Sequence, residues 1–173
     1  KQFGAVLYTG NGGSNAVTGL GFQPDLVWGK CRSNSQAGIL IDSSRGQGLL
    51  FSSLANEEQT SNGPFMTSYD SDGFTLASSG SNPNDSGRTY VAWCWRANGA
   101  STSSNSSGSI TSTKQANTKG GFSIMTYTGT GSNATIGHGL SAKPDFILTK
   151  RRSSEQTWGV YHSALGATKY LAL

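Results

Sequence analysis

The sequence predicts an all-β protein: an antiparallel β-sandwich, jelly-roll-like, with one complete domain and a partial second copy of it. Ser, Thr, Asn and Gly number 27, 17, 11 and 24 and make up nearly half of the 173 residues, which is typical of short strands joined by polar turns. Charged residues are only 13% of the chain, which excludes coiled coils and bundles rich in Ala, Leu, Glu and Lys. Aromatic residues reach 10%, which excludes a disordered tail.

Strand signals recur along the first hundred residues, as short β-prone segments bounded by turn residues. They predict strands at 3–8, 25–30, 38–41, 73–76 and 89–95. The last segment alternates, so Val91, Trp93 and Trp95 share one face, and we expect Trp93 and Trp95 to lie in the core. Clusters of Gly, Asn and Pro predict turns between the strands. These turns include residues 62–64, 70–73 and 82–85.

An internal repeat divides the chain. Residues 3–12 match residues 122–131 at five of ten positions, and after one inserted residue the Pro-Asp segment at 24–33 corresponds to 144–153. We therefore assign residues 1–97 to the first β-sandwich repeat and 109–173 to a partial second repeat. Residues 98–108, rich in Gly, Ser and Asn, are predicted to form a flexible linker.

The partial second repeat has no counterpart of residues 54–97. A half-domain cannot bury its apolar face by itself. We therefore expect the second repeat to be completed by further chain, by the first repeat or by another subunit.

The basic residues and the short apolar runs argue against nucleic acid and a membrane as partners, and the two cysteines are too few for a disulfide framework. The net charge is +4, and its basic excess centres on Lys150, Arg151 and Arg152. This cluster favours a solvated strand end rather than a nucleic-acid surface, where basic and aromatic side chains alternate along a face. Apolar runs are too short for a membrane span. Cys31 and Cys94 are expected to be free, partly buried thiols.

Catalytic and metal sites find little support. The first repeat contains no His, so no Ser–His pair exists within a complete unit, and we expect neither an enzyme nor a cofactor. Asp70 and Asp72 begin like a calcium loop, but the closing ligands are missing. A tight turn is the favoured interpretation, and calcium is the alternative.

Aromatic residues are the remaining binding candidates, because an exposed ring packs against sugar C–H groups while nearby amides bind hydroxyls. Trp158 and Tyr161 follow a predicted loop, so we expect them at the surface. Together with Trp28 they form the candidate ligand-binding set.

Several segments together resemble a repeat domain of tailed-bacteriophage virion proteins of the marine and cyanophage type. The segments are 8–12, 20–28, 42–46, 71–76, 90–95, 108–113, 121–124 and 161–171. The resemblance covers almost the whole chain and brings no catalytic residue with it. It implies a structural protein of the virion surface, such as a tail fibre or other appendage, that contributes to host attachment.

The same resemblance implies other copies of the chain or other virion proteins as partners, and a host surface glycan as a further ligand. Two other functions stay open. One is a carbohydrate-binding module. The other is a capsid-decoration or filament-forming subunit whose second repeat is completed by strands from a neighbour.

Overall fold

The computed structural model describes residues 1–60, 64–78 and 83–172. Asn62, Gly63 and Asn82, which belong to predicted turns, lie outside these ranges. The strands, numbered in chain order, are β1 Phe3–Thr9, β2 Asn15–Val17, β3 Leu26–Cys31, β4 Ile39–Asp42, β5 Leu50–Phe51, β6 Met66–Asp70, β7 Gly73–Leu76, β8 Thr89–Trp95, β9 Ser103–Asn105, β10 Ser112–Asn117, β11 Phe122–Thr126, β12 Phe146–Thr149 and β13 Gly159–His162. A short 3₁₀ turn, Ser163–Leu165, follows β13.

The first eight strands form two antiparallel sheets, which confirms the predicted all-β antiparallel sandwich. The large sheet has the order β1-β8-β3-β4-β5, and the small sheet has the order β2-β7-β6. The core lies between them, where apolar residues of both sheets and their loops form one buried cluster. Its members are Val17, Leu20, Phe22, Val27, Ile39, Ile41, Leu49, Phe65, Met66, Phe74, Leu76, Ala92 and Cys94.

The inner strand β8, between β1 and β3, shows which face of the large sheet meets the core. Tyr90, Ala92 and Cys94 are fully buried, whereas Trp93 is 36% exposed and Trp95 is half-buried. The expectation that Trp93 and Trp95 belong to the sandwich core is therefore wrong. Alternation defines two faces of a strand, but only the packing of the two sheets decides which face is inside.

Both cysteines are free and buried. The expectation of free thiols is confirmed, and their burial is complete rather than partial. Cys31 lies opposite Tyr90, and Cys94 lies opposite Val27, so the two thiols occupy different rungs of the sheet. Burial raises the pKa of Cys94 to about 12.

The carboxylate of Asp25 joins the start of β3 to the chain that follows β8. Asp25 is fully buried, and its Oδ2 accepts hydrogen bonds from the backbone N–H of Ala97 at 2.7 Å and of Gly99 at 2.9 Å. Its Oδ1 accepts from the N–H of Ala100 at 2.7 Å and from the hydroxyl of Ser43 at 2.8 Å. Four donors thus balance the desolvation of one buried charge.

The segment 98–108, predicted to be a flexible linker, contains a turn bound to Asp25 and the short strand β9. Gly99 and Ala100 both have positive φ, 61° and 62°, a conformation that disfavours Ala by about 1 kcal/mol. The hydrogen bonds to Asp25 hold the chain there. Ser103–Asn105 then forms β9, which pairs with β10.

The remaining strands form two smaller sheets, β11-β10-β9 and the hairpin β12-β13. The hairpin packs on the face of the large sheet that points away from the small sheet, which we call the outer face. No helix among the described residues is long and apolar enough to cross a membrane.

Replacing Asp25 is expected to destabilise the chain. Asp25→Asn keeps the shape but turns one acceptor into a donor facing backbone N–H groups. We expect the free energy of unfolding to fall by about 2–4 kcal/mol in urea denaturation. Asp145→Asn, at the corresponding position of the second repeat, is the matched control. It should change stability by less than about 0.5 kcal/mol because Asp145 is exposed. Equal losses for both variants would contradict the role of Asp25.

Candidate functional site

Trp158 lies at the contact between the two halves of the chain and not at the surface. It is 4% exposed and is buried with Leu40 and Leu50, and its Nε1 donates a hydrogen bond to the carbonyl oxygen of Phe51 at 2.8 Å. The expected surface position is therefore wrong, and this indole has no free face for a sugar. The outer face of the large sheet is apolar near β4 and β5, and the segment before β13 folds back to cover it.

The other two candidate aromatics are only partly accessible. Trp28 is half-buried on the outer face, where it packs against the Leu40–Leu50–Trp158 cluster and meets Trp93 edge-on at a centroid distance of 6.3 Å. Tyr161 is half-buried on β13, opposite Ile147. The structure thus brings Trp28 and Trp158 together as packing partners, while Tyr161 lies apart from them.

A chain of ion pairs crosses the same contact. The buried guanidinium of Arg45 binds Asp42 and Glu58, each at 2.5 Å. The second oxygen of Glu58 binds Nη2 of Arg152 at 2.7 Å. Burial lowers the pKa of Arg45, but the carboxylates of Asp42 and Glu58 more than offset this and hold it above its ordinary value.

The basic cluster is therefore not a simple solvated strand end. Nζ of Lys150 donates to the carbonyl oxygen of Ala55 at 2.8 Å, and the backbone N–H of Glu58 donates to the carbonyl oxygen of Arg152 at 3.0 Å. Nη1 of Arg151 donates within its own loop, to the hydroxyl of Ser154 at 3.3 Å. We call this contact, formed around Arg45, Glu58, Lys150, Arg152 and Trp158, the junction.

A second contact between the halves adjoins the junction, at the residues that follow β4. Gln115 is 1% exposed, and its Nε2 donates to the hydroxyls of Ser43 at 2.9 Å and Ser44 at 2.7 Å. Phe122 stacks on Trp95 with a centroid distance of 6.1 Å. The second half is thus held to the first by more than the junction, and Asn117 adds a further bond when its Nδ2 donates to the carbonyl oxygen of Arg96 at 3.0 Å.

The two calcium candidates are engaged in a turn. Oδ2 of Asp70 accepts a hydrogen bond from the hydroxyl of Thr75 at 2.7 Å. The carboxylate of Asp72 accepts from the backbone N–H groups of Gly21 at 2.5 Å and Gly19 at 3.0 Å. These bonds hold the pKa of Asp72 below its ordinary value, with that from Gly21 the larger cause. In the described part of the chain, no three or more His, Cys, Asp or Glu side chains are grouped to hold a metal ion.

One concave surface of the second half was not singled out by sequence reasoning. A cavity of about 240 Å³ lies at the end of the paired strands β10 and β11 where Thr113 is opposite Thr126. Its lining residues are Thr111, Ser112, Thr113, Thr126, Tyr127, Thr128 and Arg152. We call it the threonine groove. Tyr127 is 45% exposed beside it, so hydroxyl groups and an aromatic ring line one surface, while the guanidinium of Arg152 at its edge is bound to Glu58. The recurrence of Thr at 111, 113, 126 and 128 is the sequence feature that could have predicted the groove, but only the pairing of β10 with β11 brings the four residues together.

Because Trp158 is buried at the junction and Trp93 is partly exposed on the same face of the large sheet, we expect their replacement to reduce stability by different amounts. Trp158→Ala removes a buried ring and its hydrogen bond, and we expect it to lower the free energy of unfolding by about 3–5 kcal/mol. Trp93→Ala, which removes a partly exposed ring, should cost less than half as much. Urea denaturation of both variants measures the difference, and a larger loss for Trp93→Ala would contradict the junction as the main contact.

Comparison with known proteins gives a family but no individual relative. No curated protein and no solved structure matches the chain. A family model described as a domain of unknown function, DUF7483, matches residues 1–173. Because the match extends over the whole chain, the protein belongs to the DUF7483 family.

Proposed function

We propose that the chain is a non-enzymatic structural component of a tailed-bacteriophage virion, located in a tail fibre or another surface appendage that contributes to host attachment. The observation that carries the proposal is the junction. It fixes the second half to the first sandwich through a buried Trp158 and through the ion pairs Arg45–Glu58 and Glu58–Arg152. An appendage transmits force along its length, and units that are locked together suit that task better than units on a flexible linker.

The buried polar side chains that hold loops in place support the same structural role. Buried polar groups such as Asp25 and Asn84 hold loops in place: Nδ2 of Asn84 donates to the carbonyl oxygens of Gly13 at 2.6 Å and Ala77 at 3.2 Å. Loops fixed in this way leave few open backbone segments for proteases. The resemblance to phage virion repeats supports the location.

The proposed location predicts that the chain is present in purified particles of a tailed phage that encodes it. Mass spectrometry of the particles should detect it, and immunogold labelling with an antibody to the recombinant chain should mark an appendage. Fab fragments of that antibody should slow adsorption to host cells, whereas Fab fragments against the major capsid protein should not. Absence from the particle would contradict the proposal, and labelling of the capsid shell would replace it with the decoration role.

The threonine groove favours glycan binding as a second candidate function. Hydroxyls of Thr and Ser exchange hydrogen bonds with sugar hydroxyls, and the exposed ring of Tyr127 offers a face for sugar C–H groups. The groove holds about 240 Å³, slightly below the volume of ordinary small-molecule pockets, which favours a single sugar ring over a longer chain. Tyr127 takes the role that was expected of Trp158, because Trp158 is buried.

Two substitutions at Tyr127 separate ring stacking from other effects. Tyr127→Ala should weaken glycan binding by about tenfold or more because it removes the ring face. Tyr127→Phe should retain most of the affinity because it keeps that face. Glycan arrays followed by titration calorimetry measure both variants, with circular dichroism as a check of folding. A blank array, or equal binding by Tyr127→Ala and the unaltered chain, would contradict this function.

A further inference from the structure

The threonine groove has one charged side chain in its lining. Six of its lining residues carry hydroxyl groups, and the seventh is Arg152. No carboxylate is among them, so no acidic lining residue repels an anion. The second half to which the groove belongs carries seven Lys or Arg residues and two Asp or Glu residues between 98 and 173. Both the lining and the surrounding half therefore favour a ligand with a negative charge.

Glu58 fixes the guanidinium of Arg152 from one side. Oε2 of Glu58 accepts hydrogen bonds from Nε and from Nη2 of Arg152, each at 2.7 Å. Glu58 is itself held, because its Oε1 binds Nη1 of Arg45 at 2.5 Å and its backbone N–H donates to the carbonyl oxygen of Arg152 at 3.0 Å. The orientation of the Arg152 side chain is thus set before a ligand arrives, which lowers the entropy cost of binding one.

The other end of the Arg152 guanidinium remains available. A guanidinium carries five N–H donors in one plane, and Glu58 takes one on Nε and one on Nη2. Nη1 of Arg152 donates no hydrogen bond to a described residue, and 46% of the side chain is exposed. Nη1 and Nη2 together form an end of the guanidinium that binds a carboxylate through two parallel hydrogen bonds.

The charges at the junction leave room for one more anion. Two carboxylates and two guanidinium groups alternate in the chain of ion pairs, so their charges cancel. Its members are Asp42, Arg45, Glu58 and Arg152. Lys150 adds a positive charge beside them, and its Nζ donates to the carbonyl oxygens of Ala55 at 2.8 Å and Gln156 at 2.5 Å rather than to a carboxylate. An anion bound at Arg152 therefore improves the balance of charge.

The floor of the groove is held to the first half, as its edge is. Thr113 lies opposite Thr126 in the pairing of β10 with β11. Gln115, two positions further along β10, lies on the same face of the strand as Thr113, and its Nε2 donates to the hydroxyls of Ser43 and Ser44. Floor and edge are thus both fixed to the first half, and the groove is preformed, as small-ligand sites usually are.

From these observations we infer that the threonine groove binds an acidic sugar, a single ring that carries a carboxylate. The carboxylate binds the free end of the Arg152 guanidinium, the ring hydroxyls exchange hydrogen bonds with the threonine hydroxyls, and the ring C–H groups pack on Tyr127. Glu58 does not touch the sugar and is a positioning residue that orients Arg152. The inference rests on the glycan-binding function proposed above and names the class of sugar.

Matched sugars separate the effect of the carboxylate from that of the ring. The probe is a glycan array that presents each hexose beside the uronic acid derived from it: glucose with glucuronic acid, galactose with galacturonic acid, and mannose with mannuronic acid. The intact chain should bind at least one uronic acid about tenfold or more tightly than its hexose, because a hydrogen bond between charged groups is added. Titration calorimetry on the pair that the array selects measures the ratio of the two affinities.

Two arginines of one loop provide matched variants. Arg152→Gln should lower the ratio of acid to hexose affinity to about one, because it removes the planar donor pair, and Arg152→Lys should restore only part of the preference. Arg151→Gln makes the same change of charge one residue away and should keep the ratio, because Arg151 bonds Ser154 and does not line the groove. Circular dichroism and urea denaturation of each variant check that the fold is kept.

Three results would overturn the inference, and they differ in what they leave standing. Equal affinity for a hexose and its uronic acid would leave glycan binding in place without selection of the charge. Equal loss of the preference in Arg151→Gln and Arg152→Gln would assign it to the general positive charge of the loop. If neither class of sugar binds, the glycan-binding function itself fails, and the inference fails with it.

Discussion

The buried carboxylate of Asp25 is the interaction on which the arrangement of the two halves depends. A buried charge is tolerated only where hydrogen bonds replace its water, and Asp25 takes three of its four donors from residues 97, 99 and 100. The chain must therefore turn sharply as soon as it leaves β8, and it does so even though Ala100 adopts a positive φ. This turn sets the direction in which β9 and the whole second half begin.

The second half covers part of the apolar surface that the first sandwich leaves exposed. One face of the large sheet is covered by the small sheet, but the outer face is also apolar. Trp158 and Leu148 cover its β4–β5 end, and Arg152 extends the buried ion pairs of Arg45 and Glu58 to the protein surface. Phe3, Leu7 and Trp93 remain exposed at the other end of the same face. The two halves are thus packed against each other rather than being independent domains joined by a linker.

Local patterns predicted five strands of the first half closely, at β1, β3, β4, β7 and β8. The strand at 89–95 has the predicted bounds, and β1, β3 and β4 lie within a residue or so of theirs, because alternation and Gly or Asn turns act over a few residues. The candidate site was predicted less well. Trp158 and Trp93 exchange their expected positions, one buried and one exposed, and the four threonines of the groove converge only because β10 pairs with β11.

By itself, the sequence determined the all-β class, the antiparallel strands and the correspondence between the two halves. These features follow from side-chain period, turn chemistry and repeated motifs, all of which act between near neighbours in the chain. Only the tertiary structure decided which face of β8 is inside, that the linker is bound to Asp25, and that the basic cluster pairs with Glu58. Burial and charge pairing depend on residues that are distant in sequence: Trp158 and Phe51 are 107 positions apart, and no local pattern specifies that they meet.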